Sequence, residues 1–123
     1  ERDVVQEMLN YDELKPFFDK CNVGVSFVPI TDYYDNQPPT KTYEYALSGL
    51  YQIATNTKAN KRLINDSNGI LINDGANDFS AAISTIYSKR KMIDESAVRE
   101  FLAHATWAKI VEENLVPILD NLK

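Results

Sequence analysis

Eight consecutive residues, 23–30, form the feature that most constrains how this chain can fold. They read VGVSFVPI, an almost uninterrupted run of β-branched, aromatic and small residues. A strand with one face in water alternates apolar and polar residues, whereas a continuous run is typical of a strand buried on both faces of a parallel sheet. We therefore expect a buried parallel strand over residues 23–30.

Shorter β-rich runs and helical patterns alternate along the rest of the chain. Strands are predicted at residues 4–8, 52–55 and 69–73, and helices at residues 11–20, 39–49 and 58–64. The last third carries three helical stripes of apolar residues: Phe79, Ala82, Ile83, Ile86 and Tyr87; then Val98, Phe101, Leu102 and Ala105; then Trp107, Ile110, Val111, Leu115, Ile118 and Leu119. Pro117 should kink the last turn. Strands that alternate with helices imply right-handed crossovers, so the predicted fold is an α/β parallel sheet in one domain, residues 1–123.

Composition excludes several classes of function. The 123-residue chain has a net charge of −5 and a pI near 4.8, without the basic stripe that duplex nucleic acid requires. No apolar run approaches the roughly 20 residues of a membrane span, and no signal peptide is recognisable.

Cys21, the single cysteine, falls on the apolar side of a helical pattern. We expect a reduced core residue of a cytosolic protein there, with a catalytic thiol as the alternative.

The segment NQPPTKTYEYALSG, residues 36–49, points to an anion site at a helix start. Pro39 suits the first helical turn, where its missing N–H needs no partner. The N–H groups of Thr40, Lys41 and Thr42 would then point out of the helix end, where the helix dipole favours phosphate. Glu44 lies roughly 6 Å further along the axis, where its carboxylate can accept hydrogen bonds from a ribose diol. The segment follows a predicted strand, and ligands of parallel sheets bind where strands end, so we expect a nucleotide diphosphate here.

A purely structural interpretation of this helix stays open. Lys41 and Glu44 can form an exposed ion pair, and Gly49 can be an ordinary C-cap. The core face would then consist of Tyr43, Ala46, Leu47 and Leu50.

Other polar residues give weaker signals. His104 is expected on the surface, and Asp32 and Asp35 are too few to define a metal site. The sequence has no zinc, Walker or Ser/His/Asp pattern, so no metal is assigned.

Five blocks in order resemble the carboxyl-terminal domain of the retaining glycosyltransferases of the large group 1 family (family 4). They are residues 23–29, residues 39–49, Ile53-Ala54-Thr55, Asn68-Gly69-Ile70-Leu71 and the terminal helix with Trp107. The resemblance covers almost the whole chain. It implies the GT-B fold, in which two Rossmann-like domains hold a nucleotide sugar mainly through the second.

The resemblance also implies roles for single residues. The family signature has two glutamates separated by seven residues, and Glu44 matches the second, which contacts the ribose. Asn36 stands at the first, catalytic position, which contacts the donor sugar; its amide lacks the charge that a developing oxocarbenium ion would feel. The family places the diphosphate at residues 37–41, which here are Gln37, Pro38, Pro39, Thr40 and Lys41. A second departure follows Gly49, where the family usually has Pro and Val. Donor identity and activity therefore stay open.

By the same resemblance we expect the chain to be a fragment of a longer protein. It starts with Glu1 rather than Met, and the family has two further β-α units before residues 4–8 and an amino-terminal domain with the acceptor site. In the family order 3-2-1-4-5-6, residues 4–8 are strand three and residues 23–30 strand four. Either these two strands pair directly or the exposed edge recruits a second copy, and we favour self-association.

The resulting hypothesis is the donor-binding domain of a metal-independent, retaining glycosyltransferase. It would act in bacterial polysaccharide biosynthesis with a polysaccharide or glycolipid acceptor, in the cytoplasm or at the inner membrane surface, and the fragment would be inactive alone. The expected partners are the nucleotide-sugar donor and the missing amino-terminal domain, with no nucleic acid, transmembrane segment or cofactor. Two alternatives stay open: a nucleotide-sugar epimerase of the same fold, and a non-catalytic receiver-like interaction module in which Asp32 and Asp35 are regulatory.

Overall fold

The computed structural model describes residues 11–122, without the side chain of Tyr11, and it contains a three-stranded parallel sheet. Strands β1 (Val23–Ser26), β2 (Tyr51–Thr55) and β3 (Gly69–Ile72) lie side by side in chain order. The register places Ile53 of β2 opposite Val25 on one side and Ile70 on the other. The α/β class is confirmed, while the predicted strand at residues 4–8 lies outside the described residues.

Helices fill the connections between strands. Helix α1 (Tyr11–Phe18) precedes β1, α2 (Thr40–Leu47) links β1 to β2, and α3 (Lys58–Lys61) follows β2, so the helices predicted at 11–20 and 58–64 are shorter than expected. After β3 come α4 (Ala76–Lys89), a 3₁₀ turn (Arg90–Met92), α5 (Glu95–Glu100), a second 3₁₀ turn (Ala103–Ala105), α6 (Trp107–Ile110), a π-helical turn (Val111–Leu115) and α7 (Val116–Asn121).

Helices cover both faces of the sheet. Along β2, the Gln52 side chain donates to the backbone of α2, whereas Ile53 belongs to a core cluster with Ile86 of α4. Neighbouring strand residues point to opposite faces, so α2 and α4 lie on opposite faces. Two apolar clusters result: Tyr51, Ile53, Ile72, Ala82, Ile86 and Val98 on the α4 face, and Ala46, Leu63 and Leu102 on the α2 face.

A buried chain of hydrogen bonds fixes α2 and α3 on the sheet. Thr42 Oγ1 donates to Asn60 Oδ1 at 2.8 Å and lies 2.9 Å from Ser26 Oγ, so Ser26 is the donor of the second bond. Asn60 Nδ2 donates to Thr55 O, and Gln52 Nε2 donates to Thr42 O, both at 2.9 Å. The side chains of Ser26, Thr42, Gln52, Thr55 and Asn60 are all at most 1% exposed. Because unpaired buried polar groups are costly, these bonds select one position of α2 against the sheet.

Strand β1 is shorter and more exposed than the sequence predicts. It ends at Ser26, and Val25 and Phe27 are 40% and 49% exposed, so the expectation of a strand buried on both faces over residues 23–30 is wrong. The Val28 N–H donates to Thr55 Oγ1 rather than to a strand carbonyl, and Pro29 has no N–H to donate. Among the described strands β1 pairs with β2 alone.

Two further core predictions are wrong. Cys21 is exposed because α1 ends at Phe18 and the cysteine falls in the turn that follows, where its N–H donates to Phe18 O. The second apolar stripe is divided between α5 and a 3₁₀ turn; Val98 and Leu102 are buried, but Phe101 is 43% exposed.

The carboxyl-terminal stripe does not pack on the core. Every residue from 107 to 122 is exposed. The predicted distortion by Pro117 lies one turn earlier than expected, in the π-helical turn, where the Val116 N–H donates to Val111 O. Proline lacks an N–H and crowds the carbonyl four residues before it, which favours a wider turn at this place.

The C-terminus of α2 confirms the predicted glycine cap. Gly49 has φ +81°, its N–H donates to Ala46 O, and the Leu50 N–H donates to Tyr45 O. This is the Schellman arrangement, which satisfies the last carbonyls of the helix. Arg99 of α5 donates to Ser48 O at 3.1 Å and so anchors α5 to the same helix end.

Gly24 permits the close approach of α2 to β1. A Cβ at this position would lie 2.5 Å from Cγ of Tyr45, whose ring also contacts Phe18 edge to face with centroids 5.6 Å apart. The ring therefore occupies the space above Gly24 and joins α1, α2 and β1.

We predict that Gly24→Ala lowers the free energy of unfolding by about 1–3 kcal/mol, the usual cost of overpacking. In a Tyr45→Ala background the same change should cost almost nothing, because the clashing ring is gone. Urea unfolding of the four proteins measures the coupling. Equal costs of Gly24→Ala in both backgrounds would contradict this explanation.

Candidate functional site

The loop that enters α2 lies at the carboxyl ends of β1 and β2. It is held by local turns, in which the N–H groups of Tyr34 and Asp35 donate to Thr31 O and that of Gln37 donates to Tyr34 O. The Ile30 N–H donates to Asp74 Oδ2, which ties the loop to the segment after β3. The position of this loop at the ends of two adjacent parallel strands agrees with the usual place of a ligand site.

Asp35 connects this loop to the start of α3. Its Oδ1 accepts from the Lys58 N–H at 2.8 Å, its Oδ2 lies 3.2 Å from Lys58 Nζ, and its carbonyl accepts from the Ala59 N–H. The Lys58 N–H is the main cause that lowers the pKa of Asp35 from its ordinary value; burial opposes this, and the Lys58 ammonium adds to it. The carboxylate therefore serves as a cap of α3.

The start of α2 offers fewer free N–H groups than expected. Pro39 is the N-cap rather than a residue of the first turn. The Thr40 N–H donates to Pro38 O and the Thr42 N–H donates to Pro39 O, so the expectation that both point to an anion is wrong. These two N–H groups donate to the proline carbonyls because two successive prolines impose a tight turn before the helix. Within the described chain the Lys41 N–H has no acceptor, and it remains available together with the exposed Lys41 side chain.

Lys41, Glu44 and Ser48 form one stripe along α2, since residues three, four and seven apart share a helix face. The ion pairs between described residues are Lys15–Asp19, Lys58–Asp35 and Arg99–Glu95, so the predicted pair of Lys41 with Glu44 does not form. The Glu44 carboxylate is half-buried and makes no hydrogen bond within residues 11–122. Neither charge of the stripe therefore has an ion-pair partner among residues 11–122.

Glu44 also influences its neighbour Tyr45. Burial raises the pKa of Tyr45 above its ordinary value, and the Glu44 carboxylate and the Cys21 thiol add to this. The Tyr45 hydroxyl therefore stays neutral.

Four of the seven predicted site residues line one of two cavities. Gln37, Pro38 and Pro39 line a cavity of about 270 Å³ at the carboxyl end of the sheet, with Phe27 and Tyr34. Asn36, Thr40 and Lys41 are exposed on the surface beside it and line neither cavity.

Glu44 lines a second cavity, of about 540 Å³, between α1, α2 and the carboxyl-terminal segment. Its other lining residues include Phe18, Tyr43, Arg99 and Trp107. The sequence analysis did not predict this cavity, because it forms only where three distant segments meet. The residue types of Trp107 and Arg99 are the signal that could have suggested it, since tryptophan and arginine are enriched at binding surfaces.

Two further polar residues considered in the sequence, His104 and Asp32, both lie on the surface. His104 is exposed, as expected. Asp32 is exposed, and no three His, Cys, Asp or Glu residues in the described part of the chain come together as a metal site. No helix within residues 11–122 is long and apolar enough to cross a membrane.

The Asp35 contacts predict a specific pH dependence of stability. Because the folded-state pKa lies below the unfolded value of about 3.9, the stabilisation is complete above that pH and is lost as the pH falls through the folded value. Asp35→Asn should lower the urea midpoint at pH 7, and the difference from wild type should shrink below about pH 4. Asp32→Asn, in the same loop, should change neither; a constant difference at all pH values would contradict the assignment.

Comparison of this chain with protein-family models, with curated proteins and with solved structures gives no match. The function is therefore inferred from the fold of the chain and from the two cavities described above.

Proposed function

We propose that this chain is a nucleotide-sugar-binding domain of a retaining glycosyltransferase. One observation carries the proposal: the charged stripe of α2 starts at the carboxyl ends of two parallel strands, and neither Lys41 nor Glu44 is paired within the described chain. The resemblance of the sequence to the group 1 glycosyltransferases assigns the same stripe to diphosphate and ribose. The proposal includes a whole enzyme with a polysaccharide or glycolipid acceptor. It places this enzyme in the cytoplasm or at the inner membrane surface.

The donor lies along α2 in this proposal. The diphosphate contacts the side chain and N–H of Lys41 and the hydroxyl of Thr40, at the positive end of the helix dipole. Glu44 is one turn further, roughly 4.5–6 Å along the axis, and accepts from the two ribose hydroxyls. The sugar extends in the other direction, towards Asn36 and the cavity that Gln37, Pro38 and Pro39 line.

Because the start of α2 has few free backbone N–H donors, phosphate binding depends mainly on side chains. With the N–H groups of Thr40 and Thr42 used internally, the phosphate charge is compensated mainly by Lys41. Such a site binds phosphate more weakly than a helix end with all its N–H groups free, and its affinity depends on ionic strength.

We predict that Glu44→Gln weakens binding of a nucleoside diphosphate by about 30- to 160-fold, that is about 2–3 kcal/mol, because charge-assisted hydrogen bonds to the ribose are lost. Isothermal titration calorimetry with uridine, guanosine and adenosine diphosphates measures the effect. Glu100→Gln removes an exposed carboxylate of α5 outside the cavity and should leave the affinity unchanged. Equal affinities of wild type and Glu44→Gln would exclude the ribose contact.

Asn36 should act on the sugar rather than on the nucleotide. In the full-length enzyme we expect Asn36→Ala to lower kcat several-fold while the affinity for the free nucleoside diphosphate stays the same. Steady-state kinetics combined with calorimetry separates the two effects. A parallel loss of nucleotide affinity would place Asn36 at the phosphates instead.

A further inference from the structure

We infer that the cavity between α1, α2 and Trp107 is a nucleobase subsite, in which the base stacks on the indole of Trp107. The inference rests on the proposed function and adds to it the place of the base, which the sequence did not assign. The volume of about 540 Å³ falls within the range of small-ligand sites.

The charges around the cavity favour a neutral, planar group. Lys15 and Asp19 neutralise each other at 3.0 Å, and Arg99 pairs with Glu95 and donates to Ser48 O. This leaves Glu44 as the lining residue whose charge is not balanced within residues 11–122. A ligand that offers hydroxyl donors to Glu44 and places an uncharged ring in the rest of the cavity satisfies this arrangement.

Aromatic side chains provide the surface for such a ring. Phe18 of α1 and Tyr43 of α2 line the cavity, and Trp107 lines it from the opposite segment. Phe18 is engaged with Tyr45, whereas the Trp107 side chain is 81% exposed and has no aromatic partner in the described chain. An exposed indole at the mouth of a cavity is the kind of platform on which bases stack in other nucleotide sites.

The order of contacts along α2 agrees with the length of a nucleotide. Lys41, Glu44 and Ser48 follow one another on one helix face, with rises of roughly 4.5 and 6 Å. With phosphate at Lys41 and ribose at Glu44, the base must lie towards Ser48, where the cavity with Arg99 and Trp107 is found. The opposite direction from the phosphate leads to the loop at Asn36, where the proposed function places the sugar, so all parts of the donor have a place.

Intrinsic fluorescence tests this directly because Trp107 is the single tryptophan of the chain. Nucleoside diphosphates should quench its emission to saturation, with the same Kd that calorimetry gives. Ribose 5-phosphate and pyrophosphate, which have no base, should not quench it.

Trp107→Ala should weaken binding by about 5- to 150-fold, and Trp107→Phe should restore most of the loss. Tyr87→Ala, which removes an exposed ring from α4 outside this cavity, is the matched control.

The outcomes separate this inference from the proposed function. A nucleotide that binds by calorimetry without quenching, and with equal affinity for Trp107→Ala, would place the base elsewhere while the donor site stands. If none of the three nucleoside diphosphates binds, both proposals are wrong. Circular dichroism checks the fold of each variant, and quenching of the wild-type protein decides the question even if Trp107→Ala fails to fold.

Discussion

The hydrogen bond between Thr42 and Asn60, extended by Ser26, is the interaction on which the rest of the site depends. It joins β1, α2 and the start of α3 at a point from which water is excluded. An apolar contact would allow α2 to slide or rotate, whereas buried donors and acceptors accept only one geometry. Gly24 adds a second constraint, since the ring of Tyr45 fits above it. Together they fix which face of α2 turns outward, and that face carries Lys41, Glu44 and Ser48.

The other end of α2 is fixed by different means. Gly49 in the left-handed conformation closes the helix, and Arg99 binds the carbonyl of Ser48 while it pairs with Glu95. Arg99 thus brings α5, and the segment after it, to the end of the helix, where Trp107 and Glu44 line one cavity. The proposed function takes this stripe as the binding surface because it starts at the carboxyl ends of two parallel strands.

The sequence predicted the architecture well where patterns are local. The β-rich runs around Val25, Ile53 and Ile70 each contain a strand of the sheet, and Gly49 marks the end of α2. Burial was predicted less well. Cys21 and the stripe that includes Trp107 were expected to be apolar contacts, yet both are exposed, because burial depends on which segments meet. Glu44 was predicted as a site residue from its spacing, whereas the cavity that it lines was not predicted.

By itself the sequence determined that this is an α/β chain and that residues 36–49 begin and end a helix with Lys41 and Glu44 on its outer face. These features follow from residue spacing, from proline and glycine geometry, and from β-propensity, all of which act over a few residues. Only the tertiary structure decided that the N–H groups of Thr40 and Thr42 are already used, that Thr42 is a core residue, and that Trp107 and Glu44 line one cavity. The physical reason is that hydrogen-bond partners and cavities are properties of segments far apart in the chain, which no local pattern encodes.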